Sequence, residues 1–208
     1  MVERIRCFVS VDVEDASVLA SIARVQQTLL SIGGGLKLVE RENLHLTLRF
    51  LGELPKGLVD EISQRLNRVE FEAFEIELKG LGAFPSSSRP RVVWIGVERG
   101  AEELEELARE VNKALSGLGI PPPDKEFCPH LTIARVKSRS AAAAVSRIIA
   151  EQGDLSFGKM LVDNFRLKKS VLTPRGPIYS TLMEKRARDV GRGESRGDTR
   201  ESGQGGYP

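Results

Sequence analysis

The sequence predicts an α+β protein built from two related lobes, and three observations carry that prediction. Stretches of strand periodicity alternate with stretches of helical periodicity, the order strand, helix, loop, strand occurs twice, and the pattern HLTL at 45–48 returns as HLTI at 130–133. The two histidines of those patterns stand 85 positions apart.

The elements follow in chain order. From Arg4, the residues Ile5, Cys7, Val9 and Val11 alternate with Arg6, Phe8, Ser10 and Asp12, the period of a half-buried strand. Residues 15–31 then place Val18, Leu19, Ile22, Val25 and Leu29 at helical spacing, and Gly33, Gly34 and Gly35 read as a flexible helix exit. No GK[ST] follows these glycines, so they are not a phosphate loop. LKLV (36–39) and HLTLRFLG (45–52) read as two strands around a turn. A second helix starts after Pro55, with Leu58, Ile62 and Leu66 on its apolar side, and EAFEIELKGLGAF (72–84) is another strand. The second half repeats this order with RVVWIGV (91–97), a helix at 101–115, a loop holding Pro121, Pro122 and Pro123, and HLTIARV (130–136). The same offset of 85, applied without gaps, sets Leu19 on Leu104, Ile22 on Leu107, Ala23 on Ala108 and Arg24 on Arg109, which supports an internal duplication. KMLVDNFRLKKSVL and GPIYSTLMEKR close the chain as a pair of strands with Pro174, Arg175 and Gly176 in the turn. Residues 1–186 thus form one two-lobed domain, the first HxTx at 45–48 and the second at 130–133. The Gly-, Arg-, Glu- and Ser-rich segment 187–208 has Val190 as its only aliphatic residue larger than Ala and reads as a disordered tail.

Composition narrows the function. The chain has 208 residues, 40% of them hydrophobic, enough for a real core. Its 31 basic and 29 acidic side chains leave a net charge of +2, too balanced for a general nucleic-acid coat or a membrane-surface binder. Any anionic ligand must be gripped locally. The charged N-terminus is no signal peptide, and no apolar run reaches membrane-spanning length. The two cysteines, Cys7 and Cys128, make neither a disulfide framework nor a CxxC pair and read as buried thiols of a reducing cytosol. A cytoplasmic monomer is expected.

The histidines carry the chemistry. The chain holds two histidines and six threonines, and the chance that both histidines have Thr two residues on is on the order of one in a thousand. A single strand histidine is more often structural, but two matched copies outweigh that reading. In a strand, residues two apart share a face, so His45 with Thr47 and His130 with Thr132 present one chemical face, while Leu46, Leu48, Leu131 and Ile133 present the packing face. A two-fold arrangement would bring the histidines opposite each other. Imidazoles titrate near 6.5, so one can accept a proton while the other donates one, and the two hydroxyls suit the growing charge of a phosphoryl group attacked in line. That combination suggests phosphodiester opening without a metal. A zinc site on His45, His130 and Cys128 is the rival, but it leaves the threonines unexplained. The cluster Arg166, Lys168 and Lys169 reads as a solvated edge strand, SSSRPR (86–91) as a substrate-side loop or a plain turn, and Phe84 and Tyr179 as candidates to stack on a base.

With these motifs the sequence strongly resembles the RNA 2',3'-cyclic phosphodiesterases, also called 2'-5' RNA ligases, of the two-histidine phosphoesterases. The supporting stretches are IRCFVSVDV, HLTLRFLGE, LGAFPSSSRPRVVWIGV, CPHLTIARV and GPIYSTL, and the likeness spans roughly residues 3–186. The resemblance implies two lobes, each an antiparallel sheet with helices on its outer face, around a central active-site groove. It implies hydrolysis of an RNA terminal 2',3'-cyclic phosphate to a 2'-phosphate, with tRNA fragments among the candidate substrates, possible reverse 2'-5' ligation, and no cofactor or metal. It makes His45 the proton donor and His130 the acceptor, with Thr47 and Thr132 on the phosphate oxygens, and places a phosphate-holding arginine shortly after the second motif, here Arg135. Strict alternation puts Arg49 on the His45 face and Arg135 on the opposite one unless a bulge turns it inward, so both stand as candidates. Two alternatives remain open: a non-catalytic module that binds RNA or nucleotide ends, and the same chemistry on a small cyclic nucleotide phosphate.

Overall fold

The computed structural model describes residues 3–123, 126–174 and 176–188. The chain runs β1 (Arg4–Asp12), α1 (Ala16–Leu30), β2 (Leu36–Leu38), a single 3-10 turn (Arg41–Asn43), β3 (His45–Pro55), α2 (Lys56–Leu66), β4 (Phe74–Phe84) and β5 (Val92–Arg99). It continues with α3 (Ala101–Ala114), β6 (His130–Val136), α4 (Arg139–Gln152), β7 (Ser156–Val162), β8 (Asn164–Thr173) and β9 (Gly176–Arg186). Apolar spacing and capping explain the helices. In α1 the expected stripe Val18, Leu19, Ile22, Val25 and Leu29 is buried, and the Asp15 carboxylate accepts from the N–H groups of Ser17 and Val18 at 2.9 and 3.0 Å. Glu102 and Glu103 occupy the first turn of α3 and Lys113 the last, matching the helix dipole.

All strands pair antiparallel, in the order β7-β4-β5-β6-β3-β1-β8-β9, with β2 also on β6. The order reads as two four-stranded halves meeting at β3 and β6, and one pair, Leu46 with Leu131, joins them. Those residues are themselves 85 apart, so the positions equated by the repeated motif sit side by side at the junction. Beyond that pair β6 turns its edge to β2, with Leu36, Lys37 and Leu38 opposite Val136, Arg135 and Ala134. β3 and β6 therefore diverge. LKLV and HLTLRFLG are not a hairpin with each other; each uses a different stretch of β6.

Helices cover one face of this sheet. α2 packs on β1, β3 and β9, and α3 on β3 and β5; α1 packs on β7, β2 and β6, and α4 on β4. α1 thus leaves β1 to cover the opposite half. Beneath the helices Leu46, Leu48, Leu131 and Ile133 are 0–3% exposed, which is the packing face that alternation requires. Burying each such side chain contributes about 1.5–3 kcal/mol. The opposite face carries the histidines and threonines.

Several local expectations change. Cys7 is buried, and burial pushes its thiol up to about 11, but Cys128 is exposed because it precedes β6 in the loop rather than lying under a helix. At Gly35, with φ +94°, a Cβ would meet the Ser138 side chain, and its carbonyl accepts from Lys137 N–H at 2.7 Å. This glycine fits β2 against the N-cap of α4 and is more than a flexible exit. Arg166 and Lys168 lie on β8, between β1 and β9, with side chains 15% and 7% exposed and bonded to Asp12, so they are not a solvated edge. The sheet also reaches past residue 186, since Ala187 and Arg188 donate backbone bonds to Asp163 and Phe71. Residues 189–208 of the expected tail, and Arg175 of the expected turn, lie outside the described residues.

Candidate active site

The seam between β3 and β6 fixes the site. Antiparallel register through Leu46 and Leu131, followed one residue either way, points His45 toward Thr132 and Thr47 toward His130. A cavity of about 400 Å³ opens there, a size suited to a small ligand or a nucleotide end, and His45, Thr47, His130 and Thr132 all line it. The four residues expected to share one face are brought together.

Each imidazole is held the same way. His45 Nδ1 lies 2.7 Å from the Asn43 carbonyl, and His130 Nδ1 lies 2.8 Å from the Cys128 carbonyl. A carbonyl only accepts, so each Nδ1 carries a proton and donates it, which leaves Nε2 as the nitrogen available to take or give one. The anchoring residues are the second before each histidine, again 85 apart. Aromatic edges complete the support. Tyr179 stands edge-on to His45 at 5.4 Å and 88°, Phe84 edge-on to His130 at 5.0 Å and 87°, and Phe8 packs on His45 at 4.9 Å. The two rings singled out as possible base-stackers thus both flank histidines, and of the two Tyr179 lines the cavity.

The surroundings differ in charge. Asp12 pairs with His45 across β1 and β3, and its carboxylate accepts from Lys168 Nζ at 2.7 Å and Arg166 Nη1 at 2.8 Å. Burial opposes ionisation of Asp12, but the bonds and charges of Lys168 and Arg166 outweigh it and hold the carboxyl below the usual range. Arg166 is also bonded to Glu14 and Glu184, and Lys168 lies 5.7 Å from the Tyr179 ring centre. His45 is held below the usual imidazole value, first by burial and then by Lys168 and His130, against the raising influence of the Asn43 carbonyl and Asp12. Across from His130 the corresponding residue is Gly96.

The two arginine candidates part company at matching bulges. β1 pairs Ser10 with Thr47 and then Val9 with Arg49, skipping Leu48; β5 pairs Trp94 with Thr132 and then Val93 with Ala134, skipping Ile133. Each bulge places two successive residues on the helix side and reverses the alternation beyond it. Arg49 is therefore 8% exposed on the packing side, bonded to the Pro121 carbonyl, whereas Arg135 lines the cavity. The strict alternation that put Arg49 on the His45 face fails for this reason. Phe50, not Arg49, is the β3 residue that matches Arg135, and it too lines the cavity.

Sequence reasoning missed Lys37, Asn43 and Asp12. Lys37 stands beside Arg135 on the cavity wall, and Asn43, Glu40 and Glu42 line the same cavity. Asn43 and Cys128 were findable from their matched position before each motif. Among the described residues no three His, Cys, Asp or Glu side chains converge as a metal-ligand set, and no helix is long and apolar enough to cross a membrane.

The chain is similar to known proteins along most of its length. A family model described as the 2'-5' RNA ligase superfamily matches residues 14–170. A protein of Aeropyrum pernix named RNA 2',3'-cyclic phosphodiesterase is 46% identical over 171 residues, covering 82% of this chain and 97% of that protein. One of the same name from Archaeoglobus fulgidus is 45% identical over 177 residues, covering 85% and 97%. A crystal structure of a Thermus thermophilus protein superposes with a TM-score of 0.73 at 32% identity, covering 88% of this chain and 98% of that one. With paired HxTx strands at its seam and this likeness along most of its length, the chain belongs to the 2'-5' RNA ligase superfamily.

Proposed function

We propose that the chain hydrolyses the 2',3'-cyclic phosphate at an RNA end to a 2'-phosphate, by proton transfer between His45 and His130. The observation that carries this reading is the matched pair of imidazoles, each pinned through Nδ1 to a carbonyl and each lining one cavity with a threonine hydroxyl. Relatives named RNA 2',3'-cyclic phosphodiesterase supply the substrate class.

The reaction is a single in-line displacement. His130 Nε2 takes a proton from water, the water oxygen bonds to phosphorus, the P–O3' bond breaks, and His45 Nε2 gives its proton to the departing O3'. The product carries a 2'-phosphate, and each proton transfer contributes roughly 10²–10⁴-fold. Thr47 and Thr132 donate to the non-bridging oxygens, where negative charge grows. Arg135 adds a fixed cation on the same wall. The order of the roles, His45 as acid and His130 as base, rests on the family resemblance. Burial favours the neutral form of His45 in the free protein, and a bound phosphate anion supplies the charge that returns its proton. With a 5'-hydroxyl in place of water the same groups in the same roles join the cyclic phosphate to it, giving a 2'-5' linkage and a free 3'-hydroxyl, and by microscopic reversibility their roles exchange when that linkage is cleaved back to the cyclic phosphate. The reading is of a monomeric cytosolic enzyme whose proton transfers need no metal, with tRNA fragments among its substrates.

The test is hydrolysis of an RNA oligonucleotide ending in a 2',3'-cyclic phosphate, in EDTA, with the product resolved as 2'- or 3'-phosphate. Wild type should yield 2'-phosphate, and His45→Ala and His130→Ala should each lose orders of magnitude while still binding the RNA. An inert wild type that binds the cyclic end would make the groove a reader of RNA ends. Activity lost in chelator and restored by zinc would overturn the metal-free mechanism.

A further inference from the structure

Lys37 has no part in that reaction, yet it lies on the wall of the same cavity. It is the partner of Arg135 across β2 and β6, and directly opposed residues carry their Cβ atoms about 4.5–5.5 Å apart on one face. Two cations are thus built side by side into a strand pair. Lys37 also reaches toward the other half-sheet, because a Cβ at Gly176 would lie 3.1 Å from its Nζ. Its ammonium therefore sits at the groove, beside the β8–β9 turn, rather than in open solvent.

The location matters as much as the charge. Along β6, Arg135 is three residues beyond Thr132, roughly 10 Å at the rise of a strand. The Lys37 and Arg135 pair thus lies further along the strand than Thr132, the hydroxyl assigned to the reacting phosphate. Glu40 and Glu42 also line the cavity and repel an anion, so a second negative group is favoured where the two cations adjoin. In RNA the group one ribose away from the terminal cyclic phosphate is an internal phosphodiester.

We infer that Lys37, together with Arg135, forms a second phosphate subsite that holds the internal phosphodiester next to the reacting end, so that the enzyme selects oligonucleotide ends over nucleoside 2',3'-cyclic monophosphates. This rests on the proposed reaction and assigns the substrate class within it. A cation pair on strands is a fixed electrostatic feature, and Arg135 spans the two phosphates because its planar fork offers several donors.

The experiment compares kcat/KM for three substrates with the full chain: a nucleoside 2',3'-cyclic monophosphate, a dinucleotide ending in the same cyclic phosphate, and that dinucleotide with a neutral methylphosphonate at the internal linkage. Wild type should prefer the charged dinucleotide to the other two, and the preference should shrink as salt rises. Lys37→Met should lower the ratio of charged to neutral dinucleotide about tenfold, and Lys37→Arg should restore most of it. A wild type that handles the charged and neutral linkages alike would overturn the subsite. So would a Lys37→Met that slows all three substrates by one factor, since Lys37 would then serve the fold or the reacting phosphate. A wild type that turns over none of the three would instead overturn the reaction on which the inference rests.

Discussion

The two halves of the groove share a scaffold and differ in charge. At the first motif, His45 faces Asp12 across β1, with Lys168 and Arg166 bonded behind that carboxylate and Tyr179 at the ring edge. At the second, His130 faces Gly96, and its neighbours are the rings of Phe84 and Trp94. Both histidines keep the same Nδ1 anchor, and both strands carry the same bulge. The matched positions after those bulges are Phe50 on one side and Arg135 on the other. Matched backbone sets where the imidazoles point, whereas unmatched side chains give each a different electrostatic setting, which in the proposed reaction separates the acid from the base. Acid and base roles on one scaffold arise from such differences in environment.

Removing either histidine should have the largest effect, a fall of roughly 10²–10⁴-fold in kcat for hydrolysis of the cyclic end. The double variant should be little worse than the weaker single one, because the two transfers serve one step. Independent, multiplying losses would break the idea of a coupled pair. Next comes the seam: Leu46→Ala or Leu131→Ala deletes a buried side chain at the one strand-register pair between β3 and β6 among the described residues and should cost about 2–5 kcal/mol in denaturant unfolding. A loss no larger than that of a surface substitution would contradict the junction. Arg135→Gln should lower kcat/KM by about ten- to a hundredfold through a lost charge-assisted bond, while Arg49→Gln should act on stability instead. The reverse outcome would place the wrong arginine in the groove.

The smallest and sharpest effect is on titration. Burial lowers the value of His45, so nitrogen NMR should find its midpoint below the imidazole's usual value of about 6.5, with the neutral proton on Nδ1. Lys168 disfavours the His45 cation, and Lys168→Met should therefore raise the midpoint while Arg166 keeps Asp12 paired. An unmoved midpoint would remove the ion network from the account of the difference between the halves. The same sign bears on stability: the unfolded chain protonates this imidazole more readily, so the contribution from His45 falls as pH drops below about 6.5.

The sequence carried much of this, and the exceptions have physical causes. The HxTx strands and α1, α2 and α3 were legible because large apolar residues mark their periods. α4 was missed: its first half is Arg-Ser-Ala-Ala-Ala-Ala, where small side chains form a good helix but mark no face. The run from Lys159 to Leu172 read as one strand but breaks at Asp163 into β7, the outer strand of one half, and β8, which lies between β1 and β9 in the other. Alternation alone could not choose between Arg49 and Arg135, because a bulge leaves no mark in a pattern where Leu, Thr and Arg all suit a strand. Asp12 and Lys168 meet across 156 positions, and no local pattern announces a pair set by β1 lying beside β8. Thr47, Thr132 and both histidines, in contrast, were legible because their repetition was visible without any fold.

The division of labour between the histidines is the central claim, and a change of leaving group tests it most directly. A substrate whose bridging O3' is replaced by sulfur leaves as a thiolate, which needs no proton. Single-turnover hydrolysis of that substrate should bring His45→Ala close to the wild-type rate while His130→Ala stays slow. Rescue of His130→Ala instead, or of neither variant, would contradict the assignment of His45 as the acid that releases the ribose oxygen.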